Sequence, residues 1–239
     1  MNNIEKKTVA EIVTENIKTA DIFKQNGIDF CCGGNVKVQE ICKQKGVGFS
    51  QLKDEIEKLG ITTSASHDFK SWDLDFLADY IVNTHHKYVV DANKIIIEYS
   101  DKVASVHGNH YNEVVEINKL FHLLVIDLTS YMQKEEQILF PYIKEMVAAA
   151  KNNQNLSAPH FQTVKNPIGM MEHEHDEAGD IIMEIAKLSN NFTPPEEACN
   201  TFRALYARLE EFQNDLFQHI HLENNILFPE AIALDTELM

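Results

Sequence analysis

The chain has 239 residues, enough for one sizeable core or for a small domain beside a larger one. Hydrophobic residues make up 44% and charged residues 24%, ordinary for a globular protein, while a formal net charge of −16 argues against binding to nucleic-acid backbones or anionic membrane surfaces. No apolar run approaches the roughly 18 residues of a membrane span, the opening MNNIEKKTVAEIV lacks the apolar stretch of a signal peptide, and Cys31, Cys32, Cys42 and Cys199 are not spaced as a disulfide framework, so a reducing, cytoplasmic location is expected.

Glycine and proline are scarce, at 9 and 6, and long stretches repeat apolar residues at helical spacing, which predicts an all-α protein. Thr8 and Glu11 form a capping-box pattern for a helix running through Ile12, Val13 and Ile17. Gly27 and the Cys31-Cys32-Gly33-Gly34 turn interrupt the pattern, and further helices are expected over 36–45 and 50–59, the latter closed by Gly60. Residues 1–62 thus read as a small helical domain and 63–70 as a polar linker. Residues 71–239 then read as four long helices: Trp72 to about Val106, Asn112 to about Ala150 with a kink or break at Pro141, Pro167 to about Leu188, and Pro195 to about Leu234 with Thr193 as a candidate N-cap and Pro229 near its end. Short connections within each pair make neighbours antiparallel, hence a four-helix bundle.

The bundle carries an internal repeat. YMQKEEQILFP (131–141) and HIHLENNILFP (219–229) align without a gap, and His85 and His175 precede them at nearly the same distance. Residues four apart share a helix face, so Tyr131 pairs with Glu135, and His219 with Glu223. Duplicated hairpins packed face to face would converge these pairs with His85 and His175 on the core, an oxygen and nitrogen set suited to iron, manganese or zinc. A single His-x3-Glu is weak evidence in an acidic helical protein; two copies in matched contexts are not. The ILFP segments read as core and turn. His173 and His221 fall on the outward face, His86 adjoins His85 and does not share its face, and His122 is half a turn out of phase with Tyr131. His67, His107, His110 and His160 sit in the linker or at helix ends. Cys42 and Cys199 read as small buried hydrophobes.

The chain resembles the iron–sulfur cluster repair family of di-iron proteins over essentially its whole length. The N-terminal part is similar to that family's small helical domain down to DFCCGG (29–34), and the C-terminal part to its hemerythrin-like domain through KVASVHG (102–108), KEEQILFP (134–141), EHDEAG (174–179) and HIHLENNILFP (219–229). The resemblance implies two non-haem irons, oxo- or hydroxo-bridged, held by four histidines and two glutamates. By position these are His85, His175 and His219, with Glu135 and Glu223 as bridging carboxylates. The family's remaining histidine falls at Tyr131, which leaves three readings: a phenolate ligand, a hydrogen-bond donor beside a more open iron, or a lost metal. The expectation is that Tyr131 lies at the site and contacts iron. Glu174 matches a family acidic position and reads equally as a base or replacement ligand beside the metals, or as a solvated carboxylate. Cys31 and Cys32 are expected to act as redox or transfer thiols. The function implied is repair of iron–sulfur clusters damaged by nitrosative or oxidative stress, by supplying iron, with damaged iron–sulfur proteins as clients and a homodimer as the assembly. The alternatives are reduction of nitric oxide at the two irons, and binding or sensing of dioxygen or nitric oxide.

Overall fold

The structure is a computed structural model that describes residues 4–59, 68–154, 156 and 159–238. His67, Gly60 and most of the expected linker lie outside the described residues. Among those described there is no strand, only one isolated bridge between Thr8 and Lys37.

The N-terminal helices are α1 (Val9–Glu15), α2 (Thr19–Gln25), α3 (Val38–Lys45) and α4 (Phe49–Leu59). The capping box is present: Glu11 N donates to Thr8 Oγ1 at 3.1 Å, and the Glu11 carboxylate accepts from Thr8 N at 2.8 Å. The first helix is shorter than expected. Asn16 adopts an extended conformation (φ −153°, ψ 98°) and ends it before Ile17, so a second helix begins at Thr19. Gly46 closes α3 in the left-handed region (φ 69°), which a residue without Cβ adopts freely. Val9, Val13, Phe23, Val38, Cys42 and Leu52 form the buried core of this part.

Between α2 and α3, Asp29 shapes the cysteine turn. Its carboxylate accepts from the backbone N–H of Cys31 (2.8 Å), Cys32 (3.2 Å) and Gly33 (2.7 Å). The chain then passes so close to itself that a methyl group on Gly34 would lie 2.5 Å from the Phe30 carbonyl oxygen and 3.0 Å from Ala10 Cβ. Gly34→Ala is therefore expected to destabilise the protein by ~1–3 kcal/mol, the usual cost of overpacking, and to raise the reactivity of Cys32 toward a thiol reagent. An unchanged denaturation midpoint would show that the turn yields without cost.

The bundle consists of α5 (Leu74–Ile81), α6 (Lys87–His107), α7 (Asn112–Lys134), α8 (Phe140–Lys151), α9 (Lys165–Leu188), α10 (Asn200–Leu222) and α11 (Phe228–Leu238). Three π-helical turns, Val82–His86, Glu135–Leu139 and Glu223–Leu227, join α5 to α6, α7 to α8 and α10 to α11, so each join continues one long helix. Around the bundle, α6 packs on α7, α7 on α9, α9 on α10 and α10 on α6, which closes a ring of four. The fourth long helix starts at Asn200 with Cys199 as N-cap, not at Pro195 with Thr193; Arg203 donates to the carbonyls of Ala198 and Glu196 and holds 195–199 as a loop. It also continues past Pro229 to Leu238.

The ILFP segments acquire a physical role. In both copies the phenylalanine N–H bonds five residues back, Phe140 to the Glu135 carbonyl and Phe228 to the Glu223 carbonyl. A proline follows each phenylalanine. It has no N–H, and its ring would clash with the carbonyl four residues earlier in a regular α-helix. A π turn placed just before it relieves that conflict, so Pro141 and Pro229 neither break nor end their helices. These two π turns each open on a glutamate, and π turns concentrate at functional sites because the extra residue redirects side chains.

Candidate metal centre

Glu135, His175, His219 and Glu223 are all fully buried and converge at the middle of the bundle. His219 Nε2 lies 3.1 Å from Glu223 Oε1, and His175 Nε2 lies 3.3 Å from Glu223 Oε2 and 3.5 Å from Glu135 Oε1. His86 joins them. Its Nε2 is 3.1 Å from His219 Nε2, 3.5 Å from Glu135 Oε2 and 3.9 Å from Glu223 Oε1. One donor atom from each of His86, Glu135, His219 and Glu223 falls within 4.8 Å of every other. His86 was expected off the site face. The π turn Val82–His86 overturns that, because its Lys87 N–H bonds back to the Val82 carbonyl and the added residue shifts the phase, so that His85 and His86 are both buried.

The two carboxylates span the site. Each glutamate turns one oxygen toward His86 and His219 and the other toward His175. First-row metal bonds of about 2.1 Å place neighbouring donors about 3 Å apart, close to these separations. Apart from the contact between His86 and His219, the donors do not satisfy one another. Both oxygens of Glu135 and of Glu223, His175 Nε2, His85 Nε2 and the Tyr131 hydroxyl are buried without a hydrogen-bond partner. Buried polar atoms left in this state are costly unless something else occupies their lone pairs, so the donor set fits metal cations.

Three of the imidazoles, those of His85, His86 and His175, are fixed from behind. Glu136 Oε1 is 2.7 Å from His86 Nδ1, Asp215 Oδ1 is 2.9 Å from His85 Nδ1, and Asn224 Oδ1 is 2.8 Å from His175 Nδ1. Such outer partners orient the ring and leave Nε2 for a cation. His85 stands beside the group, its ring parallel to His219 at 5.7 Å. Tyr131 is fully buried, its ring edge-on to His175 at 5.1 Å. Burial first, then the charges of Glu135 and Glu223, push its hydroxyl well above the ordinary phenol range. Glu174 is half-buried beside the site and held in an ion pair by Lys134.

Proton affinities follow from the same crowding. Burial and the neighbouring Glu223 raise Glu135 to about 7. Burial opposes charge on His86 and His175, but the glutamates outweigh it and raise both to about 9. Burial lowers His219 to about 4. Cation uptake at these donors would displace protons held on the imidazoles.

The cysteine turn is docked onto this site. Cys32 Sγ is 3.6 Å from the His175 carbonyl oxygen, and Asn225 Nδ2 donates to the Cys31 carbonyl at 3.0 Å. Cys31 and Cys32 are both free, with sulfurs 3.7 Å apart. The hydrogen bond with Cys32, burial and Asp29 push the Cys31 thiol well above its ordinary value. A cleft of about 520 Å³ opens beside the pair, lined by Lys24, Lys45, Asp176 and Met183 among others. His221 corrects another expectation. It faces away from the metal donors, but Phe30 and Thr14 cover it completely, with Phe30 O 3.3 Å from Nδ1 and Thr14 Oγ1 3.3 Å from Nε2. His173 is exposed beside Glu177, and His122 pairs with Asp101 at the surface. Cys42 is buried, but Cys199 is exposed, its sulfur 3.3 Å from His107 Nε2. Among the described residues no helix is long and apolar enough to cross a membrane.

Comparison with known proteins agrees with this arrangement. Residues 77–231 match the hemerythrin HHE cation binding domain, and residues 5–60 match ScdA_N, described as a domain of unknown function. The iron-sulfur cluster repair protein YtfE of Musicola paradisiaca is 33% identical over 234 residues, covering 95% of this chain and 96% of its own. The probable iron-sulfur cluster repair protein of Haemophilus influenzae is 34% identical over 214 residues, 88% of this chain and 90% of its own. ScdA of Staphylococcus haemolyticus, also named an iron-sulfur cluster repair protein, is 32% identical over 220 residues, 92% of this chain and 95% of its own. With a cation-binding bundle preceded by a docked dithiol turn, the chain belongs to the iron–sulfur cluster repair protein family.

Proposed function

We propose that this protein repairs iron–sulfur clusters damaged by nitrosative or oxidative stress, holding two non-haem irons between Glu135 and Glu223 and supplying iron to the damaged protein. The observation that carries this reading is the pair of buried carboxylates, each reaching toward imidazoles on both sides with no thiolate among the donors. Oxygen and imidazole donors bind ferrous iron less tightly than thiolate cages do, which suits a donor that must let its metal go. Iron bound here would supply both the transferable metal and the redox change that governs its release.

The residues of the chain divide that task. Glu135 and Glu223 hold the cargo jointly, while Glu136, Asp215 and Asn224 keep His86, His85 and His175 aimed. Protons returning to His86 and His175 would offset the carboxylates as iron leaves. Cys31 and Cys32, at the edge of the site and beside an open cleft, would serve as redox or transfer thiols. Damaged iron–sulfur proteins are the proposed clients, nitric oxide and dioxygen the small ligands, the cytoplasm the compartment and a homodimer the assembly.

The test is transfer from the anaerobically loaded full chain to an apo-protein that takes a [4Fe–4S] cluster, with sulfide and thiol present. The expected result is cluster recovery faster than with the same amount of free ferrous iron, and faster from reduced than from oxidised donor. Recovery no faster than with free iron would remove the reading. Nitrous oxide formed over many turnovers, with nitric oxide and a reductant but no client, would replace it with nitric oxide reduction.

A further inference from the structure

The donors are not shared evenly between the two sides of the site. On one side, His86 Nε2 and His219 Nε2 lie 3.1 Å apart, facing Glu135 Oε2 and Glu223 Oε1, with His85 alongside. On the other, His175 faces Glu135 Oε1 and Glu223 Oε2 with Tyr131 as its neighbour. The first side thus gathers three imidazoles and the second one imidazole and a phenol. Of the donor residues, the cysteine turn touches His175 of the second side, where Cys32 Sγ reaches its carbonyl oxygen.

We infer that His86 is a metal ligand, and that it makes the two metal positions unequal: one retained by histidines, the other, at His175 and Tyr131, labile and delivered toward Cys32. The inference deepens the iron-donor reading above and rests on it. Three features single out His86. It is 2% exposed, its Nε2 belongs to the tight donor group, and Glu136 fixes its Nδ1 at 2.7 Å, as an outer carboxylate does for a metal-bound imidazole. The imidazole missing at position 131 is thereby regained by the chain, but on the opposite side of the site. The site keeps its number of nitrogens and loses its balance. A chain that gives up one iron while keeping the other stays folded around a half-filled site, and the departing iron leaves where thiols are nearest.

The experiment follows iron loss from the anaerobically loaded full chain to a ferrous chelator. Wild type is expected to lose iron in two phases of equal amplitude, with rates differing by at least about 10-fold, and to show two distinct iron environments by Mössbauer spectroscopy. His86→Ala should abolish the slow phase. Glu136→Gln, at a half-exposed carboxylate whose loss leaves the core intact, should speed the slow phase by ~10–100-fold, the usual effect of removing an outer partner of a ligating histidine, and leave the fast phase alone. Tyr131→His should slow the fast phase only. Two-iron loading with a single loss phase, or with a slow phase indifferent to both His86→Ala and Glu136→Gln, overturns the inference while leaving the donor reading standing. A wild-type chain that takes up no iron removes both.

Discussion

Glu223→Gln is expected to strip metal from both positions, not one. The Glu223 side chain is fully buried, and its two oxygens serve opposite sides, Oε1 at 3.1 Å from His219 and Oε2 at 3.3 Å from His175. A glutamine keeps the size but presents one neutral oxygen and an NH2 group that repels a cation. Loss of an outer partner alone lowers metal affinity by about 10–100-fold; loss of a shared anionic ligand should exceed the upper end at each position. The check is metal analysis after dialysis, together with thermal unfolding with and without ferrous iron. A ligand present at 100 times its dissociation constant stabilises by about 2.7 kcal/mol. At roughly 2–4 °C per kcal/mol for a chain of this size, iron should raise the Tm of the wild type by about 5–10 °C. The variant should show no iron-dependent rise. If Glu223→Gln retains one iron per chain, the carboxylate does not bridge.

The second large effect is expected at Phe30, the residue that seats the cysteine turn on the bundle. Its ring meets Phe217 and His221 edge-on, both at 6.0 Å between centroids, and its carbonyl faces His221. Phe30→Ala should cost ~3–5 kcal/mol, as for other buried phenylalanines. That loss is expected to fall on docking, because the Phe30 ring packs on Phe217 and His221 of α10. The expected result is therefore separation: amide exchange and proteolysis rise across residues 4–59, Cys32 becomes reactive, and the bundle still unfolds at its own temperature. One cooperative transition shifted downward as a whole would show that the two parts share a single core. Buried His221 loses its cover in the same step, so its ring should titrate nearer an ordinary histidine by NMR, away from the value near 4 that burial imposes on it.

Much of the architecture was legible in residues close along the chain. Thr8 and Glu11 announce the first helix because capping depends on groups three residues apart. The duplicated motif placed Glu135, His219 and Glu223 on inward faces because residues four apart share a face, and the matched spacing placed His175 with them. The differences in helix boundaries have local causes as well: the extended Asn16 divides what periodicity reads as one helix, and Arg203 holds as loop a stretch whose proline resembles a helix start.

Which segments are helical, and which faces turn inward, follow from a regular period of 3.6 residues along the chain. The tertiary structure decided the rest. The π turn at Val82–His86 breaks that period by one residue and brings His86 into the donor group, so a rule based on constant phase places it wrongly. His221 is outward on its own helix yet buried, because Phe30 and Thr14 arrive from a distant part of the chain. Cys199 has the composition of a core residue but caps a helix at the surface. The imbalance between the two sides of the site is of the same kind: no single helix carries it, and it exists only where four helices and the docked cysteine turn meet.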